Sequence, residues 1–259
     1  AGYKKLVRDL DRRGASREER ITRLRAFWER RLGVDDITRM PGYDPMGEHQ
    51  AQWDDPSRRA GYRHQMRFDI SDEDLDRELP GYGLYHRLTD DRTMAGFLDG
   101  MLGDSGALVS TVEKMRVGVR PGGMSPQADM DTGGATYFFT RIRKLPGRRG
   151  GSRQPGLYFK KRLLRRMDSV TYGSDQFGRV TGDTVRKKRK STVKEWKQIA
   201  AREGADETIF KYSVTLLDNI DVVAVSSQAQ RRQVIKAFKK HGITKLPDGR
   251  RVDDIVVVT

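Results

Sequence analysis

The stretch Thr208-Ile209-Phe210-Lys211-Tyr212-Ser213-Val214-Thr215-Leu216-Leu217-Asp218-Asn219-Ile220-Asp221-Val222-Val223-Ala224-Val225 decides the fold class. Phe210, Tyr212, Val214 and Leu216 recur at every second position, the period of a strand with one buried face. Asp218-Asn219 is turn chemistry, and 220–225 is a second apolar run, so a hairpin is expected. Beyond it, 229–241 carries Val234, Ile235 and Phe238 at helical spacing and stops at Gly242. Asp248-Gly249 reads as a turn and 252–258 as a last strand. Strands and helices mixed in this way, with adjacent strands in hairpins, point to an α+β fold with a largely antiparallel sheet and flanking helices.

Upstream, the same alternation continues back to residue 83. Residues 83–88 and 135–142 read as strands, 91–101 as a helix with Met94, Phe97, Leu98 and Met101 on one face, and 106–110 as a short apolar segment. Residues 118–130 are a Gly/Pro-rich loop, and 191–206 is helical in character. The first 80 residues differ. Ser16-Arg17-Glu18-Glu19 has the capping-box pattern ahead of Ile21, Leu24, Trp28 and Leu32. Residues 34–80 are polar and broken by Pro41, Pro45 and Pro56, with a short helix starting at Ser71. The division expected is an N-terminal helical and irregular extension over 1–80 and a main domain over 81–259.

The chain has 259 residues, 51 Lys plus Arg, 36 Asp plus Glu, and a formal charge of +15. It has no cysteine, which excludes disulfides, thiolate metal sites and thiol nucleophiles. No apolar run reaches the ~18–20 residues of a membrane span, and Ala1-Gly2-Tyr3-Lys4-Lys5 leads into further charge instead of the apolar stretch of a secretory leader. No membrane partner is expected; the location expected is cytoplasmic, or the cytoplasm of a target cell after delivery. A chain opening on Ala1 is what a fragment or processed product would show. His49, His64, His86 and His241 stand far apart with no His-x-x-x-His pair, so no metal site is expected. Asp129 and Asp131 are read as solvated loop acids. Neither a phosphate-binding Gly-x-x-x-x-Gly-Lys loop nor a Gly-x-Ser-x-Gly elbow is present.

Three segments in order carry a chemical pattern: Tyr85-His86-Arg87-Leu88-Thr89, then Thr132-Gly133-Gly134-Ala135-Thr136-Tyr137-Phe138-Phe139-Thr140-Arg141, then Asp206-Glu207-Thr208-Ile209-Phe210. Over 80–259 this order resembles the ADP-ribosyltransferase family of bacterial toxins and effectors. The resemblance implies a core of mixed, largely antiparallel sheets, and NAD as the ADP-ribose donor. It implies Glu207 as the catalytic carboxylate, stabilising the positive charge that develops as the ribose–nicotinamide bond breaks. His86 or Arg87, Thr89, Gly133, Gly134 and Tyr137 would hold the dinucleotide. His86 and Arg87 are consecutive on a strand, so only one can face the site. His86 is preferred, which places the chain nearer the His-Tyr-Glu than the Arg-Ser-Glu subfamily. The arginine type carries Glu or Gln two residues before its catalytic Glu and a Ser-Thr-Ser element. Here Ala205 stands in the first place, and Val109-Ser110-Thr111 is a partial echo of the second.

The charge is concentrated. Residues 141–190 hold 17 Lys plus Arg and only Asp168, Asp175 and Asp183, a net of 17 − 3 = +14; the other residues are close to neutral. Arg148, Arg149, Lys160, Lys161, Arg162, Arg186, Lys187, Lys188, Arg189 and Lys190, with Trp196 beyond them, are candidates to bind an acceptor's phosphates and bases. This insert lies just ahead of the segment that, by the resemblance, selects the acceptor. The function expected is therefore transfer of ADP-ribose from NAD to RNA or DNA by a toxin with a possible cognate immunity protein. The alternatives are the same transfer to protein, and a nucleic-acid-binding protein without enzymatic activity.

Overall fold

A computed structural model describes residues 2–32, 71–88, 94–103, 106–110, 137–147, 151–165, 169–174, 189–190, 192–202, 206–211 and 213–259. The strands are β1 (Tyr82–His86), β2 (Ala107–Val109), β3 (Tyr137–Lys144), β4 (Gly156–Phe159), β5 (Ser169–Tyr172), β6 (Arg189–Lys190), β7 (Glu207–Lys211), β8 (Ser213–Thr215), β9 (Ile220–Val225) and β10 (Val256–Val258). The helices are α1 (Gly2–Arg12), α2 (Arg17–Leu32), α3 (Asp72–Glu78), α4 (Met94–Gly103), α5 (Val193–Arg202), α6 (Leu216–Asn219), α7 (Gln228–Lys240) and α8 (Val252–Ile255). A 3-10 turn covers Lys161–Arg165.

Eight strands form one sheet in the order β10-β9-β4-β1-β3-β7-β5-β6; β2 and β8 form a separate pair. Among the described strands only β9 and β10 run parallel, joined through α7; the other pairs are antiparallel. The fold is mixed α+β with a mostly antiparallel open sheet and flanking helices.

One face of the sheet holds the main core. Leu84, Phe138, Ile142, Leu157, Phe159, Phe210, Val223 and Val225 meet Leu75 of α3 and Leu79 at its C-cap, Leu98 of α4, Trp196 and Ile199 of α5, and Val234 and Phe238 of α7. Burying each such side chain contributes about 1.5–3 kcal/mol. Helix starts follow local chemistry. Ser71 and Asp74 form a reciprocal capping box at α3, Ser227 caps α7, and Ser16 Oγ accepts from Glu19 N at 3.1 Å at α2. Helix α7 ends at Gly242, whose φ of +74° suits glycine.

The hairpin expected between 208–217 and 220–225 does not form. Strand β7 is already flanked by β3 and β5, while β9 pairs with β4 and β10. Between them Val214 goes to the β2–β8 pair, and Leu216–Asn219 makes a helical turn, with Asn219 Nδ2 donating to the Thr215 carbonyl at 2.9 Å. The expected last strand is half helix. Asp253 and Asp254 suit the start of α8, and Arg231 reaches across to the Asp253 and Val256 carbonyls.

Candidate functional site

Registration across the sheet sorts the candidate residues. Leu84 pairs with Ile142, Tyr85 with Arg141, and His86 with Leu157. Thr140 pairs with Thr208 and Phe138 with Phe210; Thr171 pairs with Thr208 and Tyr172 with Glu207. Opposed residues share a face and neighbours in sequence alternate. His86, Thr140, Thr208 and Thr171 therefore lie on the helix-covered face, and Tyr158, Tyr85, Arg141, Glu207 and Tyr172 on the other. Thr140–Thr208 is the last β3–β7 pair, and Arg141 and Glu207, the next residue of each strand, share the other face.

His86 follows the core. Its ring lies 4.4 Å from that of Phe138, and its Nδ1 is 2.9 Å from the Phe139 carbonyl. Arg87 is exposed. Its charge, with those of Arg143 and Arg141, acts on the Tyr85 hydroxyl, whose pKa burial raises and the three arginines partly lower. His86 turns to the core and away from the face of Glu207, while Arg87, the residue after β1, is exposed.

The other face carries a second, smaller core in which Tyr85 and Tyr158 pack with Leu145 and Ala224. The Tyr85 and Tyr158 rings are 5.0 Å apart. Tyr85 donates to the Pro155 carbonyl at 3.0 Å, and the Tyr158 hydroxyl is shared between Ser152 Oγ at 2.8 Å and the Gln154 carbonyl at 3.0 Å. Burial pushes Tyr158 up to about 12, so it stays a neutral donor. Gly156 permits this layer: a Cβ there would stand 2.5 Å from the Tyr85 ring and 2.7 Å from the His86 carbonyl.

Asp206, beside Glu207, is 1% exposed. Its Oδ2 accepts from the Ile142 N–H at 2.7 Å, and its Oδ1 is bonded to Arg143 Nη1. Burial raises its pKa, and Arg143 and the Ile142 N–H oppose that rise. Asp206, Arg141, Arg143 and Tyr85 are not among the site residues expected from the sequence. The alternation of Arg141 with Arg143 is visible in the sequence, but that they share a sheet face with Glu207 depends on a register that only the folded sheet supplies.

The acceptor candidates divide. Trp196 is 3% exposed and belongs to the core, so it cannot stack on a base: helical spacing places it with Val193, Ile199 and Ala200 on the inner face of α5. Lys160 Nζ pairs with Asp248 at 2.6 Å and bonds the Asp218 carbonyl. Lys161 Nζ bonds the Leu79 carbonyl at 2.7 Å and pairs with Asp76. Arg162 Nη2 bonds the Asp218 carbonyl at 2.6 Å and is otherwise exposed. This part of the basic insert ties the 3-10 turn to its surroundings. Thr89, Gly133, Gly134, Arg148, Arg149, Arg186, Lys187 and Lys188 lie outside the described residues, as do Asp129 and Asp131; Arg189 and Lys190 form β6, and Tyr137 opens β3 opposite Lys211, with side chains outside the description.

Among the described residues no helix is long and apolar enough to cross a membrane, and no group of three or more metal-binding side chains gathers. No protein-family model matches the chain, no curated protein matches it, and no solved structure matches it.

Proposed function

We propose that the chain is a mono-ADP-ribosyltransferase that uses NAD as donor and a nucleic acid as acceptor. The observation that supports it most is that Glu207 opens β7 opposite Tyr172 on the sheet face that also carries Arg141 and Tyr85, with the exposed Arg87 following β1. Such a face fits NAD, which presents a pyrophosphate for guanidinium donors and ribose hydroxyls for a carboxylate acceptor. Arg87 and Arg141 would hold phosphate or ribose oxygens, and Glu207 would accept from a ribose hydroxyl and stabilise developing positive charge at the anomeric carbon. NAD supplies the glycosidic bond that is broken and the ADP-ribose that is transferred.

In this reading Arg87 replaces His86 as the residue that faces the dinucleotide. That exchange moves the comparison toward the Arg-Ser-Glu subfamily, and Ser110, at the end of β2, is the serine of the partial Val109-Ser110-Thr111 echo. The acceptor surface contracts to Arg148, Arg149, Arg162 and 186–190, because Lys160 and Lys161 hold the protein's own acids. That number of basic residues is enough for several phosphate contacts. Nicotinamide release from NAD tests the reading: wild type releases it and Glu207→Gln does not. Equal release by both would overturn the role of Glu207.

A further inference from the structure

We propose that Asp206 is a positioning residue for Glu207: bonded to the Ile142 N–H and Arg143, it fixes the register at which β7 begins and balances the charge of Arg143 beside the working carboxylate. The inference rests on the transferase reading only in taking Glu207 as that carboxylate.

Asp206 is the one charged side chain in the buried set of the described residues. Burying a carboxylate is costly unless it is paired and hydrogen-bonded, and Asp206 is both. The ladder that pairs Thr140 with Thr208 would next bring 142 opposite 206. At that point the Asp206 carboxylate, rather than a backbone carbonyl, takes the Ile142 N–H. A side chain thus closes the β3–β7 pairing at the end where Glu207 sits. Slippage by one residue would carry Glu207 to the helix-covered face, and the bond to Ile142 N opposes that slip.

The second effect is electrostatic. By register, the titratable and charged positions on Glu207's face are Arg141 and Arg143 on β3, Tyr172 on β5, Arg189 on β6, Lys211 on β7 with Tyr137 opposite it, and, beyond β3, Tyr85 and Tyr158. Arg143 is two residues along from Arg141 on the same face, and its guanidinium is held at Asp206, the residue next to Glu207. Its Nη1 is bonded to Asp206 and to the Ile142 carbonyl. Neutralising Asp206 removes a negative charge near Glu207 and leaves Arg143 without that counter-charge. Both changes favour ionised Glu207.

The test uses the full chain with Glu carboxyls labelled with carbon-13, in wild type and Asp206→Asn, together with nicotinamide-release kinetics. In Asp206→Asn, Glu207 is expected to titrate about half a unit or more lower. kcat is expected to fall about tenfold or more from misplacement, with KM for NAD within about twofold of wild type. Arg143→Lys, which keeps a cation against Asp206, is expected to leave the Glu207 titration near that of wild type. A titration and kcat unchanged in Asp206→Asn, whatever its melting temperature, would overturn the proposal. If wild type releases no nicotinamide, the transferase reading falls and the titration alone decides: a shift supports positioning, and none overturns it. If Asp206→Asn does not fold, Arg143→Gln serves. Loss of that cation is expected to raise the Glu207 titration, and no rise overturns the proposal.

Discussion

His86 and Glu207 stand on opposite faces of one sheet: His86 shares a face with Phe138, 4.4 Å away ring to ring, and Glu207 is opposed to Tyr172 on the other. The two residues therefore answer differently to substitution. His86→Ala removes an aromatic contact worth about 0.5–1.5 kcal/mol beyond its burial and lowers stability in urea titration, with NAD affinity of the folded protein unchanged. Arg87→Ala, at an exposed position, leaves stability within about 0.5 kcal/mol and weakens NAD binding about tenfold or more by calorimetry. The reverse pattern would restore His86 to the site.

Trp196 and the basic cluster separate in the same way. Trp196 is buried in the core under α5, so Trp196→Ala costs about 3–5 kcal/mol of stability, while Trp196→Phe keeps nucleic-acid affinity. Neutralising 186–190 leaves the melting temperature nearly unchanged and reduces the salt dependence of single-stranded RNA binding, by up to about 0.7 in slope for each lost phosphate contact. An unchanged slope would remove this cluster from the acceptor surface.

Asp248 links Lys160 of the basic insert to the C-terminal unit. Burial pushes its carboxyl up, but hydrogen bonds from Arg250 and Lys160 more than reverse this and hold it well below the usual carboxylate range. As pH falls, the unfolded chain takes up this proton first, near pH 4. The stabilisation is fully present above that pH and is lost as pH falls through the lower folded value. Asp248→Asn is expected to cost about 1 kcal/mol at pH 7, with the difference from wild type shrinking below about pH 4. Urea denaturation across pH 2.5–7 measures it; a difference independent of pH would show that the charge of Asp248 is not what matters.

Local chemistry made much of the fold readable. The caps at Ser16, Ser71 and Gly242, the inner faces of α4 and α7, and the strands around Tyr85 and Phe138 all follow periodicity and end signals. Pairing was not readable. The run 208–217 has strand period throughout, yet Phe210 and Val214 belong to different sheets because β3 and β5 occupy both edges of β7. The site shows the same division. Alternation requires that His86 and Arg87 face opposite ways, but which one joins Glu207 depends on the Leu84–Ile142 and Thr140–Thr208 registers, contacts about 60 residues apart in sequence. Asp206 was hidden for the same reason, since its partners Ile142 and Arg143 are distant in the chain.

The most direct measurement is transfer of label from adenine-labelled NAD, with wild type and Glu207→Gln each incubated separately with RNA, DNA and mixed protein. The expected result is label on a nucleic acid with wild type and none with Glu207→Gln, given a folded variant. Label on protein alone would contradict the acceptor, and the absence of label and of released nicotinamide with every acceptor would contradict the transferase itself.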